Sequence, residues 1–345
     1  MTAPLIVRAL RRESVERTPV WYMRQAGRCL AEYRALRERY GILEMARTPE
    51  LCARVTRMPV ERLGVDAAVL YADIMLPLDG MSVPFHIEPD IGPIVERPLR
   101  SEADVAALRI VDAEDATPYL FETIAALRRD LPSTVALIGF CGAPFTLASY
   151  LIEGGPSRDH ARAKRLMQGQ PAVWARLMAT LVEVLSRYLR AQIESGVDVV
   201  QVFDSWAGVL AVEDYELSVL PWSSRLFAAL ADLDVPRIHF ATGNPALLPL
   251  IASVDCEAVS VDWRAPLDDA WRAIGDRAIQ GNLDPAVCLS PWAVVEERAL
   301  DVLRRANGRP GHVFNLGHGV LADTDADILA RLAALVKERT AAVAA

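Results

Sequence analysis

A chain of 345 residues, of which 52% are hydrophobic, can bury a large core, and α/β barrels of this length are commonly one domain. It contains no apolar run of the roughly 18 residues that span a membrane, and residues 1–8 lack the apolar region and cleavage site of a secretory signal. The five cysteines are scattered and form no C-x-x-C pair, so we expect neither a disulfide framework nor a zinc cluster, and a reducing cytoplasm fits.

The formal net charge of −8 is unevenly distributed along the chain. Residues 1–60 hold 12 basic and 6 acidic side chains, and every basic one is arginine, whereas residues 61–345 hold 25 basic and 39 acidic side chains. A basic segment on an acidic body can indicate nucleic-acid binding, but no lysine-rich tail or known nucleic-acid module accompanies it. A small polyanionic molecule is therefore the predicted partner.

Two helices are predicted before the first strand. One covers residues 30–40 and ends at Gly41. The second begins at Thr48, which takes the N-cap position ahead of a proline, and ends at Gly64. Together with the residues before them, these helices form an arginine-rich segment, 1–64, that we expect to contribute to the functional site.

From residue 65 onward, apolar runs typical of strands buried on both faces alternate with helical patterns. Residues 74–98, rich in proline and glycine, are expected to form a hairpin excursion after the first of these strands. Strands are predicted over residues 65–73, 134–140, 197–203, 237–240, 258–261, 278–281 and 312–315. Helices are predicted over residues 144–153, 171–195 and 212–233. One further helix begins at residue 245 and another at 266, helices after the strand 278–281 extend to about residue 306, and the last helix begins at Asp323.

Strands and helices in regular alternation predict a parallel sheet with right-handed crossovers, either closed as a barrel or open and doubly wound. The barrel is favoured because no G-x-G-x-x-G motif or P-loop follows any strand. The pattern does not place an eighth strand. We therefore predict one domain, 1–345, of the α/β class: a (β/α)8 TIM-type barrel with an N-terminal extension and a hairpin excursion.

Polar residues collect at the carboxyl ends of the predicted strands, where barrel enzymes keep their active sites. Four of them are interpreted as caps of the following helices: Asp262, Asn282, Asp284 and Asp323. Asp73 fits that interpretation less well, because the apolar sequence Ile-Met-Leu-Pro follows it. Asp73 is therefore a candidate functional residue.

The stretch from Val20 to Arg28 is extended and aromatic, then turns through Gln-Ala-Gly with an arginine on each side. Arginine presents a rigid fork of donors that matches a carboxylate. Because an apolar run precedes the pair, we expect Arg24 and Arg28 to be partly buried, and a buried arginine needs an anionic partner. The two side chains are therefore predicted to form an anion clamp.

Residues 19–33 (PVWYMRQAGRCLAEY) resemble the N-terminal signature of the uroporphyrinogen decarboxylase family of haem biosynthesis. Three more stretches carry the same resemblance in the family order: 139–150 (GFCGAPFTLASY), 201–208 (QVFDSWAG) and 315–319 (NLGHG). The resemblance implies a cytoplasmic, homodimeric enzyme that decarboxylates the four acetate side chains of uroporphyrinogen III to methyl groups, giving coproporphyrinogen III and CO2. It also implies a polycarboxylate tetrapyrrole as partner, and neither nucleic acid nor membrane.

The resemblance further implies which side chains form the site. The implied substrate-binding residues are Arg24, Gln25, Ala26, Gly27, Arg28, Asp73, Tyr150, Ser205 and His318. The arginines would pair with carboxylates, Asp73 would accept the ring N–H groups, and the last three would donate neutral hydrogen bonds. Phe140 and Phe203 are expected to line the ring face. Tyr150 has an alternative interpretation as a core tyrosine.

Decarboxylation of an acetate arm normally needs an electron sink supplied by a cofactor, but a pyrrole protonated at a ring carbon can serve as its own. The resulting iminium-like cation takes up the electrons that CO2 leaves behind. The resemblance implies that Asp73 and Arg24 are catalytic. Asp73 would stabilise the cation and Arg24 would hold the reacting acetate, although arginine is a poor proton donor. We expect neither a cofactor nor a metal.

Two other functions are considered. A zinc-dependent corrinoid methyltransferase of the same barrel superfamily would need a thiolate-rich zinc site, but the expected His-x-Cys pair would fall at His239 and Ala241. A non-catalytic tetrapyrrole-binding protein would need the arginine clamp but not Asp73. Ligand affinity compared with turnover would separate this second alternative from an enzyme.

Overall fold

The computed structural model describes residues 2–89 and 91–341. Its strands are Ala67–Val69 (β1), Phe85–Glu88 (β2), Gly92–Val95 (β3), Ala136–Gly142 (β4), Val199–Asp204 (β5), Arg237–Ala241 (β6), Ala258–Ser260 (β7), Ala278–Gln280 (β8) and His312–Val313 (β9). Its helices are Leu5–Leu10 (α1), Ala31–Arg37 (α2), Ile42–Arg47 (α3), Pro49–Leu63 (α4), Glu102–Ala106 (α5), Ala113–Ala116 (α6), Pro118–Asp130 (α7), Pro144–Glu153 (α8), Ala161–Gly169 (α9), Pro171–Glu194 (α10), Val212–Ser218 (α11), Leu220–Ala228 (α12), Leu248–Ser253 (α13), Leu267–Ile274 (α14), Trp292–Ala306 (α15) and Ala326–Thr340 (α16).

Seven strands pair in parallel in the order β1-β4-β5-β6-β7-β8-β9, each beside the next one of the sheet along the chain. All the residues of β4 are buried, which confirms the prediction of strands covered on both faces. Strands β2 and β3 form a separate antiparallel pair, the hairpin expected within residues 74–98. Among the described residues, no helix is both long and apolar enough to cross a membrane.

The gap between β1 and β9 is closed by residues 19–21. The N–H of Phe314 donates to the carbonyl of Pro19 at 2.9 Å, and the N–H of Trp21 donates to the carbonyl of Phe314 at 3.3 Å. On the other side, the N–H of Asp66 donates to the carbonyl of Val20 at 2.8 Å. This short segment takes the position of the eighth strand, which the hydrophobic pattern did not place, and we call it the eighth stave of the barrel. It confirms the predicted (β/α)8 barrel.

Hydrogen bonds across the barrel interior hold this stave in place. The Trp21 Nε1–H donates to Gln280 Oε1 at 2.9 Å. The Gln280 amide in turn donates to Gln201 Oε1 at 3.0 Å and to Ser260 Oγ at 2.9 Å. Because buried polar groups are costly when unpaired, this network links the stave to β5, β7 and β8 in one register.

Asp66, immediately before β1, also holds this segment through its side chain. Its two carboxylate oxygens accept from Arg17 at 2.7 and 2.8 Å, a bidentate pair. Its Oδ2 also accepts from the N–H of Val20 at 2.8 Å. The start of the stave is therefore fixed, and the chain leaves the barrel wall immediately before Arg24.

Two predicted helix boundaries are wrong. Gly41 begins α3 instead of ending α2, and its N–H donates to Glu44 Oε2 at 3.1 Å. Glycine is tolerated at both ends of helices, so its presence alone does not decide which end it marks. Asp325, and not Asp323, caps α16, because its Oδ1 accepts from the N–H of Asp327 at 2.9 Å.

Candidate active site

The carboxyl ends of the strands open onto one mouth of the barrel, and Arg24 stands at its edge. The residue has a positive φ of 58°, an uncommon conformation for a non-glycine residue. The preceding residue, Met23, is tied to the loop after β9: its N–H donates to Asn315 Oδ1 at 3.0 Å, and its carbonyl accepts from Val320 at 2.8 Å. A Cβ built on Gly319 would lie 2.4 Å from Arg24 Cδ, so glycine is required beneath this side chain.

Asp73 lies in the turn that follows β1, four residues past the end of that strand. Its Oδ1 accepts from the N–H of Met75 at 2.9 Å, so the carboxylate does cap this turn. Burial raises the pKa of Asp73, while the Met75 N–H and the charge of Arg24 oppose that rise. Asp73 therefore combines a local structural role with proximity to the guanidinium of Arg24.

Tyr150 lies near both of these charges, and His318 lies near Arg24. Burial raises the pKa of Tyr150 to about 12, the Asp73 carboxylate adds to the rise, and Arg24 opposes it. Burial lowers the pKa of His318 to about 4, and the charges of Arg24 and Arg264 lower it further. Both side chains are therefore neutral near pH 7, as donors of neutral hydrogen bonds must be. Arg24 is thus close enough to act electrostatically on Asp73, Tyr150 and His318.

A series of aromatic rings crosses the mouth. Phe140 on β4 and Phe203 on β5 meet edge to face with centroids 5.4 Å apart. Phe203 contacts Phe240 on β6 at 5.7 Å, and Phe240 contacts His318 at 6.0 Å. The two phenylalanines expected at the ring face are thus adjacent. Phe240 extends the series to the histidine and had no distinguishing signal in the sequence.

Ser205 follows β5 and is half-buried. The adjacent Asp204 is fully buried: its Oδ1 accepts from Thr146 Oγ at 3.0 Å, and its Oδ2 has no partner among the described residues. Burial raises the pKa of Asp204 to about 7, which the Thr146 hydroxyl opposes. The ring of Trp206 then packs against Tyr150 with centroids 5.9 Å apart. The turn after β5 thus carries Ser205 and packs against Tyr150, two of the side chains expected to donate hydrogen bonds to the substrate.

The clamp segment differs from its prediction in one respect, because Arg24 and Arg28 are exposed and not partly buried. The apolar residues before them face the barrel wall, and the chain turns outward at Arg24. Ala26 and Gly27 are half-buried in this turn. A Cβ on Gly27 would lie 2.9 Å from the carbonyl oxygen of Arg24, so the turn closes tightly.

Gln25 points into the protein and is only 1% exposed. Its amide oxygen accepts from the N–H of Tyr22 at 3.0 Å, and its NH2 group donates to the carbonyl of Ala67 at 2.8 Å. Gln25 thus pins the clamp segment to β1, and this geometry does not favour a substrate contact from its side chain. Such a contact stays a prediction.

Of the four predicted helix caps, Asp284 is confirmed, and Asp262 and Asn282 are wrong, as Asp323 is. Asp262 instead joins the ends of β6 and β7, since its Oδ2 accepts from the N–H of Gly243 at 2.7 Å and from Thr242 Oγ at 2.8 Å. Asn282 donates to the carbonyls of residues 262 and 265 at 2.9 and 2.8 Å. Asp284 does cap the helical turn Pro285–Leu289, accepting from Ala286 at 2.9 Å. Aspartate and asparagine side chains at strand ends can form hydrogen bonds at the ends of neighbouring strands as readily as they cap the next helix.

The donor set of a zinc site is not assembled around His239. This residue is fully buried against Phe227, with ring centroids 5.1 Å apart, and burial lowers its pKa to about 4. Within residues 2–89 and 91–341, no three His, Cys, Asp or Glu side chains cluster in a way that could hold a metal ion. The described residues therefore give no structural support to the methyltransferase alternative.

Comparison with known proteins places this geometry in a family. The model of the uroporphyrinogen decarboxylase (URO-D) family matches residues 1–339. The uroporphyrinogen decarboxylase of Thermobifida fusca is 52% identical over 336 residues, covering 97% of this chain and 92% of that protein. That of Carboxydothermus hydrogenoformans is 48% identical over 333 residues, covering 96% and 95%.

A solved structure, a methyltransferase from Methanosarcina mazei, superposes with a TM-score of 0.83 over 98% of this chain and 99% of that one. At 19% identity this likeness shows the barrel fold alone. The match of the family model and the two close relatives carry the assignment instead. Together they show that the chain belongs to the uroporphyrinogen decarboxylase family.

Proposed function

We infer that this chain decarboxylates uroporphyrinogen III in haem biosynthesis, converting four acetate side chains to methyl groups and releasing coproporphyrinogen III and CO2. The observation that carries this inference is that, in a chain of this family, the Arg24 side chain packs on Gly319, next to His318, within electrostatic reach of Asp73 and Tyr150. A cation, an anion and two neutral donors are what a ring of N–H groups bearing carboxylate arms requires.

Binding begins with the carboxylates. Arg24 and Arg28 are exposed at the mouth, where each guanidinium can present paired N–H donors to a carboxylate. Gly319 and Gly27 support the clamp because a larger residue at either position would displace Arg24. Arg24 takes the acetate that reacts, and Arg28 takes a second carboxylate.

Asp73 meets the centre of the substrate. Its Oδ1 is engaged by Met75, and no described residue hydrogen-bonds its Oδ2, which can accept converging pyrrole N–H groups. Burial raises the pKa of Asp73. Bound N–H donors favour the ionised form and offset that rise, so substrate binding helps to keep the carboxylate charged.

The reaction then needs no electron sink beyond the substrate. Protonation of a pyrrole ring carbon gives an iminium-like cation, which the Asp73 carboxylate stabilises from its fixed position. The bond from the exocyclic carbon to CO2 breaks, and its electron pair neutralises the cation as an enamine. Protonation of that exocyclic carbon forms the methyl group, and loss of the proton first added to the ring carbon restores the neutral pyrrole. Phe140 and Phe203 present apolar surface to the ring, with Phe240 buried against Phe203, and Tyr150, Ser205 and His318 donate to carboxylate oxygens.

The remaining expectations are proposals drawn from the family resemblance. We propose a homodimer located in the cytoplasm that acts without cofactor, metal, nucleic acid or membrane. The whole chain, 1–345, is proposed to be one domain, with residues 1–64 supplying the clamp.

The test is anaerobic incubation of the purified protein with reduced uroporphyrinogen, followed by oxidation and chromatography of the products by carboxylate number. We expect the substrate, which carries four acetates and four propionates, to be converted stepwise to a product that retains the propionates alone. Recovery of unchanged substrate under conditions in which a known uroporphyrinogen decarboxylase is active would contradict the proposed function.

A further inference from the structure

The two arginines of the clamp both project from one loop, after the stave formed by residues 19–21. The substrate of the proposed function carries carboxylates around its whole circumference. A third cation, Arg264, stands elsewhere at the mouth, in the loop that follows β7. Around the barrel, the eight strand positions follow the order β1, β4, β5, β6, β7, β8, β9 and residues 19–21. β7 therefore lies opposite β1, the strand that leads to Asp73.

Arg264 is held in a defined orientation. Its Nη1 donates to Asp262 Oδ2 at 2.5 Å, and its guanidinium carbon lies 4.4 Å from the centroid of the Trp263 ring. The Asp262 side chain is 6% exposed, whereas that of Arg264 is 43% exposed. Asp262 also accepts from Thr242 and Gly243, so its charge is shared among several donors. A planar cation is thus anchored by Asp262 and Trp263 while part of it remains exposed.

The loop that carries Arg264 is packed against the site. The Trp263 ring meets His318 edge to face with centroids 6.5 Å apart. A Cβ on Gly317 would lie 2.5 Å from the backbone nitrogen of Trp263, so the two loops touch through their backbones. Arg264 and Arg24 both lie close enough to His318 to act on it electrostatically.

We propose that Arg264 is a second carboxylate anchor, which binds a propionate arm of the tetrapyrrole across the mouth from the reacting acetate. This proposal rests on the proposed function. Propionates persist through every decarboxylation step, whereas acetates disappear. An anchor for propionate should therefore strengthen binding of substrate, intermediates and product alike, and should have little effect on the chemical step itself.

The test uses Arg264→Gln, Arg264→Lys and a matched control, Arg225→Gln. Arg225 is also exposed and also stacks on a tryptophan, with its guanidinium carbon 4.5 Å from the Trp222 centroid, but it lies on the outer helix α12. Dissociation constants are measured for oxidised uroporphyrin and coproporphyrin by fluorescence, and KM and kcat are measured with uroporphyrinogen.

We expect Arg264→Gln to weaken binding of both porphyrins, and to raise KM, by about tenfold, the scale of one charge-assisted hydrogen bond. The kcat should stay within about twofold, Arg264→Lys should recover part of the affinity, and Arg225→Gln should match wild type. Equal affinities in Arg264→Gln and wild type would overturn the proposal, as would a loss confined to uroporphyrin, which would assign the anchor to an acetate. Porphyrin affinity that depends on Arg264 in a protein without turnover would refute the proposed function and not the anchor.

Discussion

Replacing Asp73 by asparagine removes the charge at the centre of the site with little change in volume. The Oδ1 of asparagine can still accept the Met75 N–H, which Asp73 accepts at 2.9 Å, so the turn after β1 should persist. Its NH2 group would face the pyrrole N–H donors and could not accept from them. The change therefore acts on the electrostatics of the site while the local backbone keeps its hydrogen bond.

The magnitude follows from the role given to Asp73. A preorganised partner of a charge that develops in the transition state is worth about 10²-fold or more in kcat, equivalent to about 2.7 kcal/mol of activation free energy. Asp73→Glu retains the charge but moves it by one methylene, so we expect activity between that of Asp73→Asn and wild type. Rates are measured at saturating uroporphyrinogen by chromatography of products.

Thermal stability provides the control. Burial raises the pKa of Asp73, so the folded protein binds a proton there more readily than the unfolded chain, and ionisation above the ordinary value costs folding free energy. Asparagine removes that cost. The Tm of Asp73→Asn at neutral pH should therefore equal or exceed that of wild type, and the difference should shrink as pH falls towards about 4.

Two outcomes would refute this reasoning. Wild-type turnover by Asp73→Asn would exclude stabilisation of a cation by the carboxylate. A Tm well below wild type would make Asp73 a structural cap of its turn, and its catalytic assignment would lose its main support.

Three further predictions concern the clamp, cofactors and acid stability. Arg24→Lys and Arg28→Lys should each lower kcat/KM about tenfold or more, because lysine cannot form the paired fork; unchanged kinetics would mean that the clamp does not hold substrate. Turnover should survive exhaustive chelation and dialysis, and activity restored only by a metal or by pyridoxal phosphate would contradict the mechanism. The buried His239 has a pKa lowered to about 4 by burial, so its contribution to stability is present above about 6.5 and is lost as pH falls towards 4. His239→Leu should therefore lose less stability than wild type between pH 7 and 4 in denaturant titrations, and parallel curves would count against a neutral buried imidazole.

The barrel could be predicted because most of its strands are apolar runs covered on both faces, as the complete burial of β4 illustrates. The stave at residues 19–21 could not, because so short a segment carries no periodicity. It is defined by its hydrogen bonds to Phe314 and Asp66, residues that lie far from it in sequence. Closure of a sheet is a property of the assembled strands and has no local pattern.

The same limit applies to the site. Asp73 could be proposed because it follows a strand in an unusual local context, and His318 because it lies in a stretch that resembles the family; the structure places both near Arg24. Phe240 and Arg264 had no such local signal, since a phenylalanine in a strand and an arginine in a loop are commonplace. Their relevance emerges only from neighbours that the barrel brings together, such as the contact between Phe240 and His318.

The prediction that Arg24 and Arg28 are partly buried was wrong for a related reason. The apolar residues before Arg24 do lie in the core, but the chain reverses at Arg24 itself, where φ becomes positive. A hydrophobic run thus predicts the environment of its own residues and not of the turn that follows it.

Release of CO2 from the acetate arms tests most directly whether this chain performs decarboxylation assisted by Asp73. Uroporphyrinogen labelled in its acetate carboxyl carbons is incubated anaerobically with wild type and with Asp73→Asn, and labelled CO2 is counted per tetrapyrrole over time. We expect wild type to release four labelled CO2 molecules for each coproporphyrinogen formed, and Asp73→Asn to release them about 10²-fold more slowly. No labelled CO2 from wild type, or equal rates from the two proteins, would contradict this assignment.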